Sequence, residues 1–273
     1  MNDVITFKQQ KEKTKISMVT AYDYHMAKII NETEINGILV GDSLGMVFQG
    51  NENTLSVTLE EVIYHTKAVK KGITDKLLVA DMPFMSYNVS EEQTLANAGR
   101  LLKEGGANAV KMEGGASIYS QVKRLTSIGI PVMGHIGLTP QSINALGGFR
   151  VQGKNEKSVA QLISDALLLE EAGAFSIVLE CIPDKVAEII TQKISIPTIG
   201  IGASKKCDGQ ILVINDILGI DSSFSPKFVK KYTNLNSIIS NTLQDFHSEV
   251  KQEIFPSKEN IFDIDDNILK NLY

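Results

Sequence analysis

Short runs rich in Val, Ile and Leu alternate along this chain with longer stretches whose apolar residues recur at helical spacing. The short runs read as buried strands and the long ones as amphipathic helices, an alternation that marks parallel strands joined by helical crossovers. Eight runs qualify as strands: residues 16–21 (ISMVTA), 37–42 (GILVGD), 76–81 (KLLVAD), 109–113 (AVKME), 131–137 (PVMGHIG), 175–180 (FSIVLE), 197–203 (PTIGIGA) and 210–216 (QILVIND). Helix starts are marked by Thr58 with Glu61 and by Ser90 with Gln93, both spaced as capping boxes. Glycines in EGGAN (104–108) and EAGAF (171–175) mark helix ends that turn through a left-handed residue. Eight strand–helix units in about 250 residues is the size of a (β/α)8 TIM barrel. The prediction is one α/β domain over 1–273, with a barrel core at about 15–250, an extra N-terminal helix and an appended tail at 255–273. A doubly wound open sheet would carry a glycine-rich turn after its first strand, whereas here that strand runs into TAYDYHMA.

Four of the apolar runs end on an acid: Asp42, Asp81, Glu113 and Glu180. Charge at the end of a buried strand is costly. In a barrel these residues close strands two, three, four and six, and so share the mouth where such folds place their chemistry. Within AVKME the side-chain period of two puts Lys111 and Glu113 on one face. An Asp just past a strand also serves as a helix cap or turn residue, so Asp42 or Asp81 alone decides little; the four together favour a site. Oxygen donors without thiolate or spaced histidine favour Mg2+ over zinc or copper. Of the four histidines, His25 and His65 fall in predicted helices and read as structural or exposed, and none has metalloprotease spacing with His247 or another. His135 lies at the mouth end of strand five, placed for a polar contact to substrate.

Composition narrows the function class. The chain has 273 residues, 43% hydrophobic and 22% charged, which suits a globular enzyme with one large core. A net charge of −5 without a basic stripe argues against a nucleic-acid partner. No apolar stretch approaches the roughly 18 residues of a membrane span, and the polar N-terminus resembles no secretory signal, so a cytoplasmic protein without a membrane partner is expected. Cys181 and Cys207 lack metal-ligand spacing and read as reduced, packed thiols. GGFRVQGK around Arg150 has the composition of a lid, or of a solvated loop.

Longer strings carry a family resemblance: TAYDY (20–24), LVGDSLGM (39–46), ADMPFMSY (80–87), VKMEGG (110–115), GHIGLTPQS (134–142), GGFRVQG (147–153), VLECIP (178–183), IPTIGIGA (196–203) and CDGQILV (207–213). In this order they resemble the 3-methyl-2-oxobutanoate hydroxymethyltransferase (ketopantoate hydroxymethyltransferase) family of pantothenate and coenzyme A biosynthesis. The resemblance implies a TIM barrel assembled as a homodecamer, using Mg2+ and taking its one-carbon unit from 5,10-methylenetetrahydrofolate. It further implies Asp42, Asp81 and Glu113 as the metal site, Asp42, Ser43, Asp81 and Lys111 as contacts to the 2-oxoacid, and Glu180 as catalytic proton acceptor. One departure is visible: the family commonly reads GIGAG after strand seven, and Ser204 takes the last place here. The alternatives are a Mg2+-dependent lyase or mutase of the phosphoenolpyruvate/isocitrate lyase kind, or a catalytically silent barrel. The silent barrel has no chemical need to retain Glu180 with Lys111.

Overall fold

The structure, a computed structural model, describes residues 3–221 and 226–270. Eight strands form: β1 (Ile16–Thr20), β2 (Gly37–Val40), β3 (Leu77–Asp81), β4 (Ala109–Glu113), β5 (Val132–Gly137), β6 (Ser176–Glu180), β7 (Thr198–Ile201) and β8 (Gly209–Leu212). Each pairs with its neighbours, and β8 pairs in parallel with β1 to close the barrel that the sequence predicts.

The inward positions follow the period of two. Leu77 and Val79 on β3, Ala109 on β4, Met133 on β5, Val178 on β6 and Ile199 on β7 belong to one buried apolar cluster. The next inward positions toward the strand ends are Asp81, Lys111 with Glu113, His135 and Glu180. The barrel is therefore apolar along its shaft and charged at its mouth. Register aligns the charges, with Asp81 opposite Lys111, Glu113 opposite His135, and Gly137 opposite Glu180.

The predicted N-terminal helix is short, Val4–Lys8, and closes the opposite end of the barrel. Its Phe7 is fully buried in the shaft cluster and meets Phe175 edge-on at 5.7 Å. Lys11 then ties the segment to Asp208 at 2.9 Å, a carboxylate that also accepts the Thr198 N–H. Phe7→Ala is expected to cost about 3–5 kcal/mol, the range for deleting a buried ring, read as a fall in the urea midpoint at constant slope. A loss below about 1 kcal/mol would show that this plug adds little to the barrel.

Caps set the helices around the barrel. Thr58 and Glu61 form both bonds of a capping box at Leu59–Gly72. At Glu91–Arg100 only half of the expected pattern is made, the Ser90 hydroxyl accepting the Gln93 N–H. A further capping box, Asn155 with Ser158, starts Glu156–Glu171.

Two expectations need correction. Residues 210–216 are not all strand: β8 stops at Leu212 and Ile214–Leu218 is helical. The neighbouring β1 ends at Thr20, whose hydroxyl accepts the Ile214 N–H at 3.0 Å, so Val213 onward has no strand edge to pair with. The crossover from β7 to β8 also lacks a helix. Residues 202–208 descend as a loop that turns at Gly202 (φ 61) and packs Cys207 out of solvent. Ser204 belongs to that loop; its hydroxyl donates to Asp184 at 2.7 Å and its carbonyl accepts from Gln210, so the added side chain is used as a tie.

Two compact units are present: one runs to Ile214 and includes Pro226–Val229, and the other holds the remaining C-terminal residues. The second unit centres on the helix Leu235–Lys251, none of whose residues is buried. Of the tail predicted at 255–273, residues 271–273 lie outside the described residues. Among the described residues no helix is long and apolar enough to cross a membrane.

Candidate active site

The ends of β3, β4, β5 and β6 and the loops after β2, β3 and β5 deliver the mouth. After β2 the chain turns through Gly41–Asp42–Ser43, and a Cβ at Gly41 would lie 2.8 Å from Ser43 Oγ and 3.3 Å from Asp81 Oδ2. A side chain at Gly41 would therefore displace the Ser43 hydroxyl and crowd the Asp81 carboxylate. The Asp42 N–H then donates to Asp81 Oδ2 at 3.0 Å, setting the two aspartates side by side. Ser43 shares a 2.8 Å hydrogen bond with the Tyr22 hydroxyl, and the Tyr22 carbonyl meets His65 Nδ1. His65 is accordingly a buried structural residue, whereas His25 and His247 are exposed.

Lys111 stands at the centre. Its Nζ lies 2.7 Å from Asp81 Oδ1, 3.4 Å from Glu113 Oε1 and 3.2 Å from His135 Nδ1. The Asp81 contact is a short ion pair with both side chains buried. His135 connects two acids, with Nδ1 at 3.3 Å from Glu113 Oε1 and Nε2 at 3.2 Å from Glu180 Oε2. Glu180, whose side chain is 14% exposed, is the more open end of this chain of contacts.

Glu180 is fixed by its backbone. Its carbonyl accepts the Leu138 N–H at 2.8 Å, and Gly137 (φ 100) permits that approach, since a Cβ there would sit 2.2 Å from the same oxygen. Cys181 follows with φ 48, donates its N–H to Ile201 and packs against Leu138 and Ile143. Burial pushes its thiol up to about 11, which suits a packing residue rather than a nucleophile. The Arg150 segment is anchored here too, by the Gln152 N–H on the Cys181 carbonyl at 2.9 Å.

Burial and crowding divide the charges. Burial, with repulsion from Asp81 and Glu113, holds Asp42 well above the ordinary carboxylate range. Asp81 is also raised by burial, against the pull of Lys111. Glu113 goes the other way: burial opposes it, yet Lys111 and His135 bring it down to about 2. Burial would discharge Lys111, but Asp81, Glu113 and Asp42 more than reverse this and keep it an ammonium. For His135, burial and Lys111 push down while Glu113 and Glu180 push up further, to about 9.

Gln141 and Tyr87 complete the cluster, and neither is marked by a strand-end pattern. Gln141 reaches Asp42, Met82 and Tyr87 with its side chain and Glu113 with its main chain. Among the described residues no set of three or more His, Cys, Asp or Glu side chains is gathered so as to hold a metal ion. Glu113 has both oxygens engaged within the protein, whereas Asp42 and Asp81 form an adjacent pair of hard donors.

Comparison with known proteins agrees with this architecture. A family model described as ketopantoate hydroxymethyltransferase matches residues 2–258. A Clostridium beijerinckii protein named 3-methyl-2-oxobutanoate hydroxymethyltransferase is 62% identical over 273 residues, covering 100% of this chain and 99% of that protein. A Clostridioides difficile protein of the same name is 56% identical with the same coverage. Among solved structures, a phosphonopyruvate hydrolase superposes with a TM-score of 0.61 at 11% identity, covering 99% of this chain and 94% of that one. A 2,3-dimethylmalate lyase, described as a PEP mutase/isocitrate lyase superfamily member, gives 0.60 at 13% identity, covering 96% and 92%. These distant likenesses share the barrel alone. The full-length match and the high identity of its relatives place this chain in the ketopantoate hydroxymethyltransferase family.

Proposed function

We propose that this enzyme transfers a hydroxymethyl group from 5,10-methylenetetrahydrofolate to 3-methyl-2-oxobutanoate, giving 2-dehydropantoate for pantothenate and coenzyme A synthesis. The observation that carries the reading is the joining of a buried ammonium, two adjacent aspartates and a more exposed glutamate at one barrel mouth. Deprotonating carbon next to a keto group needs a base on one side and positive charge where the enolate oxygen forms.

The residues divide that work. Lys111, held charged, offers permanent positive charge to an anionic 2-oxoacid. Its raised pKa argues against the neutral amine that Schiff-base chemistry requires. Asp42 and Asp81 fit a hard cation, being adjacent oxygen donors that crowd one another at the mouth. Asp42, Asp81 and, through its outer contacts, Glu113 would hold Mg2+, and Asp42, Ser43, Asp81 and Lys111 would meet the 2-oxoacid. Bound there, Mg2+ would act as a Lewis acid toward the keto oxygen. Glu180 takes the C3 proton, C3 then bonds to the one-carbon unit of the folate, and water supplies the hydroxyl as tetrahydrofolate leaves.

A homodecamer belongs to the same reading. Self-association is supported by the helix Leu235–Lys251, which exposes Ile238, Ile239, Leu243, Phe246 and Val250 in a helical stripe. A cytoplasmic setting is in keeping with two free cysteines.

The lyase or mutase alternative rests only on barrels at 11–13% identity. One assay separates the two: protein, Mg2+, 3-methyl-2-oxobutanoate and 5,10-methylenetetrahydrofolate, with products identified by mass. Folate-dependent appearance of 2-dehydropantoate, abolished by chelator, is the expected result. Its absence at saturating substrates would overturn the transferase reading.

A further inference from the structure

We propose that Gln141 is a positioning residue that aims the Asp42 carboxylate and locks it to Glu113 and Tyr87, so that metal affinity depends on an amide that itself contacts no metal. The inference rests on the reading of Asp42 as a metal-site acid. Gln141 sits on the turn Pro140–Ser142, directly past the β5 exit, and is 5% exposed. All of its polar groups but the main-chain carbonyl are committed inside the mouth. Its side-chain Nε2 donates to Asp42 Oδ2 at 2.8 Å and to the Met82 carbonyl at 3.0 Å. Its Oε1 accepts the Tyr87 hydroxyl at 2.6 Å, and its main-chain N–H donates to Glu113 Oε2 at 3.0 Å.

The orientation of this amide is determined by its partners. The Met82 carbonyl only accepts, so the nitrogen must face it, and a flip would set oxygen against oxygen there. Both Nε2 hydrogens are then used, which leaves Asp42 Oδ2 tied to a group fixed from the other side of the mouth. Tyr87 completes the lock. Its single hydrogen goes to Gln141 Oε1, the shorter contact, while its oxygen accepts the Glu113 N–H at 3.3 Å. The exits of β2, β3 and β5 and the end of β4 are thereby joined by one residue. Groups that hydrogen-bond ligating carboxylates commonly set affinity about 10–100-fold.

The test uses Mn2+ titrated into metal-free protein and followed by the loss of its free EPR signal, with no turnover involved. Gln141→Met keeps length and volume but cannot donate, and is expected to weaken Mn2+ binding about 10–100-fold with an unchanged far-UV spectrum. Tyr87→Phe makes no direct change at Asp42 and removes the hold on Gln141 together with the weaker 3.3 Å acceptor contact for the Glu113 N–H, for an expected loss of about 3–10-fold, the worth of one net hydrogen bond. If the three groups act as a unit, the double variant binds no more weakly than Gln141→Met alone. Binding by Gln141→Met within about twofold of wild type overturns the proposal, as do additive losses in the double variant. Should Gln141→Met fail to fold, Tyr87→Phe decides alone, and an unchanged affinity refutes the lock. Wild-type protein that takes up no Mn2+ would instead overturn the metal-site reading itself, and this inference with it.

Discussion

Replacing Glu180 by Gln is expected to lower kcat by about 10²–10⁴-fold while leaving KM for the 2-oxoacid within a few-fold, the pattern of a general base removed without loss of ground-state binding. Glutamine keeps the shape at the end of β6 and can still meet His135 Nε2, which stands 3.2 Å from Glu180 Oε2. It cannot accept a proton from carbon. Glu180 is suited to the role by its position among the acids. Asp81 and Glu113 are committed to Lys111, and Asp42 is tied to Gln141, but Glu180 has one charged neighbour and an opening to solvent. The direct measurement is exchange of the C3 proton of 3-methyl-2-oxobutanoate in deuterated water with Mg2+ present. Wild-type protein should exchange it without the folate donor, and Glu180→Gln should not. Exchange at the wild-type rate in the variant would remove Glu180 as the base and turn attention to Asp42, whose raised pKa would then acquire a catalytic meaning.

The strand-end acids were legible because two one-dimensional signals coincide there. A charge that closes an apolar run is conspicuous, and the period of two shows which neighbours share its face, which is how Lys111 joins Glu113 before any coordinates are known. The same rule anticipates the shaft, where Leu77, Val79, Ala109 and Met133 fall on the inner face. Gln141 and Tyr87 carry no such signal. They come from irregular segments past β5 and β3, where no period relates sequence to direction, and their importance arises from partners 99 and 54 positions away, Asp42 and Gln141 respectively. The misread end of β8 has a similar cause. LVIND has strand composition, but a strand needs an edge, and β1 has already ended at Thr20. His135 was placed correctly at the mouth, yet its double contact with Glu113 and Glu180 depends on register between strands, which one strand's sequence does not state.

Lys111→Met should destabilise the metal-free protein by about 3–5 kcal/mol near neutral pH, because it strips a buried cation from carboxylates that cannot reach water. The pH dependence identifies the cause. Asp42 and Asp81 have folded pKa values above their unfolded ones, so their contribution to stability is fully present below the unfolded value and is lost as pH rises through the folded value. Removing Lys111 raises both further and deepens that loss at neutral pH. Glu113 has the opposite sign: its folded value of about 2 gives stability above the unfolded carboxylate range that disappears as pH falls toward 2, and Lys111 is the first of the groups holding it down. With Lys111 gone, Glu113 keeps only His135 and the Gln141 N–H as favourable partners, and that contribution shrinks as well. The aspartate effect places the deficit of the variant at high pH and shrinks it by about pH 5, whereas the Glu113 part falls away only below the unfolded carboxylate range. Urea unfolding in the presence of a chelator, at about pH 5 and about pH 8, measures this directly, with the gap between wild type and variant expected to narrow at the lower value. A gap of equal size at both would mean that the raised aspartates do not set the deficit, leaving it to the Glu113 pairing and the packed methylene stem.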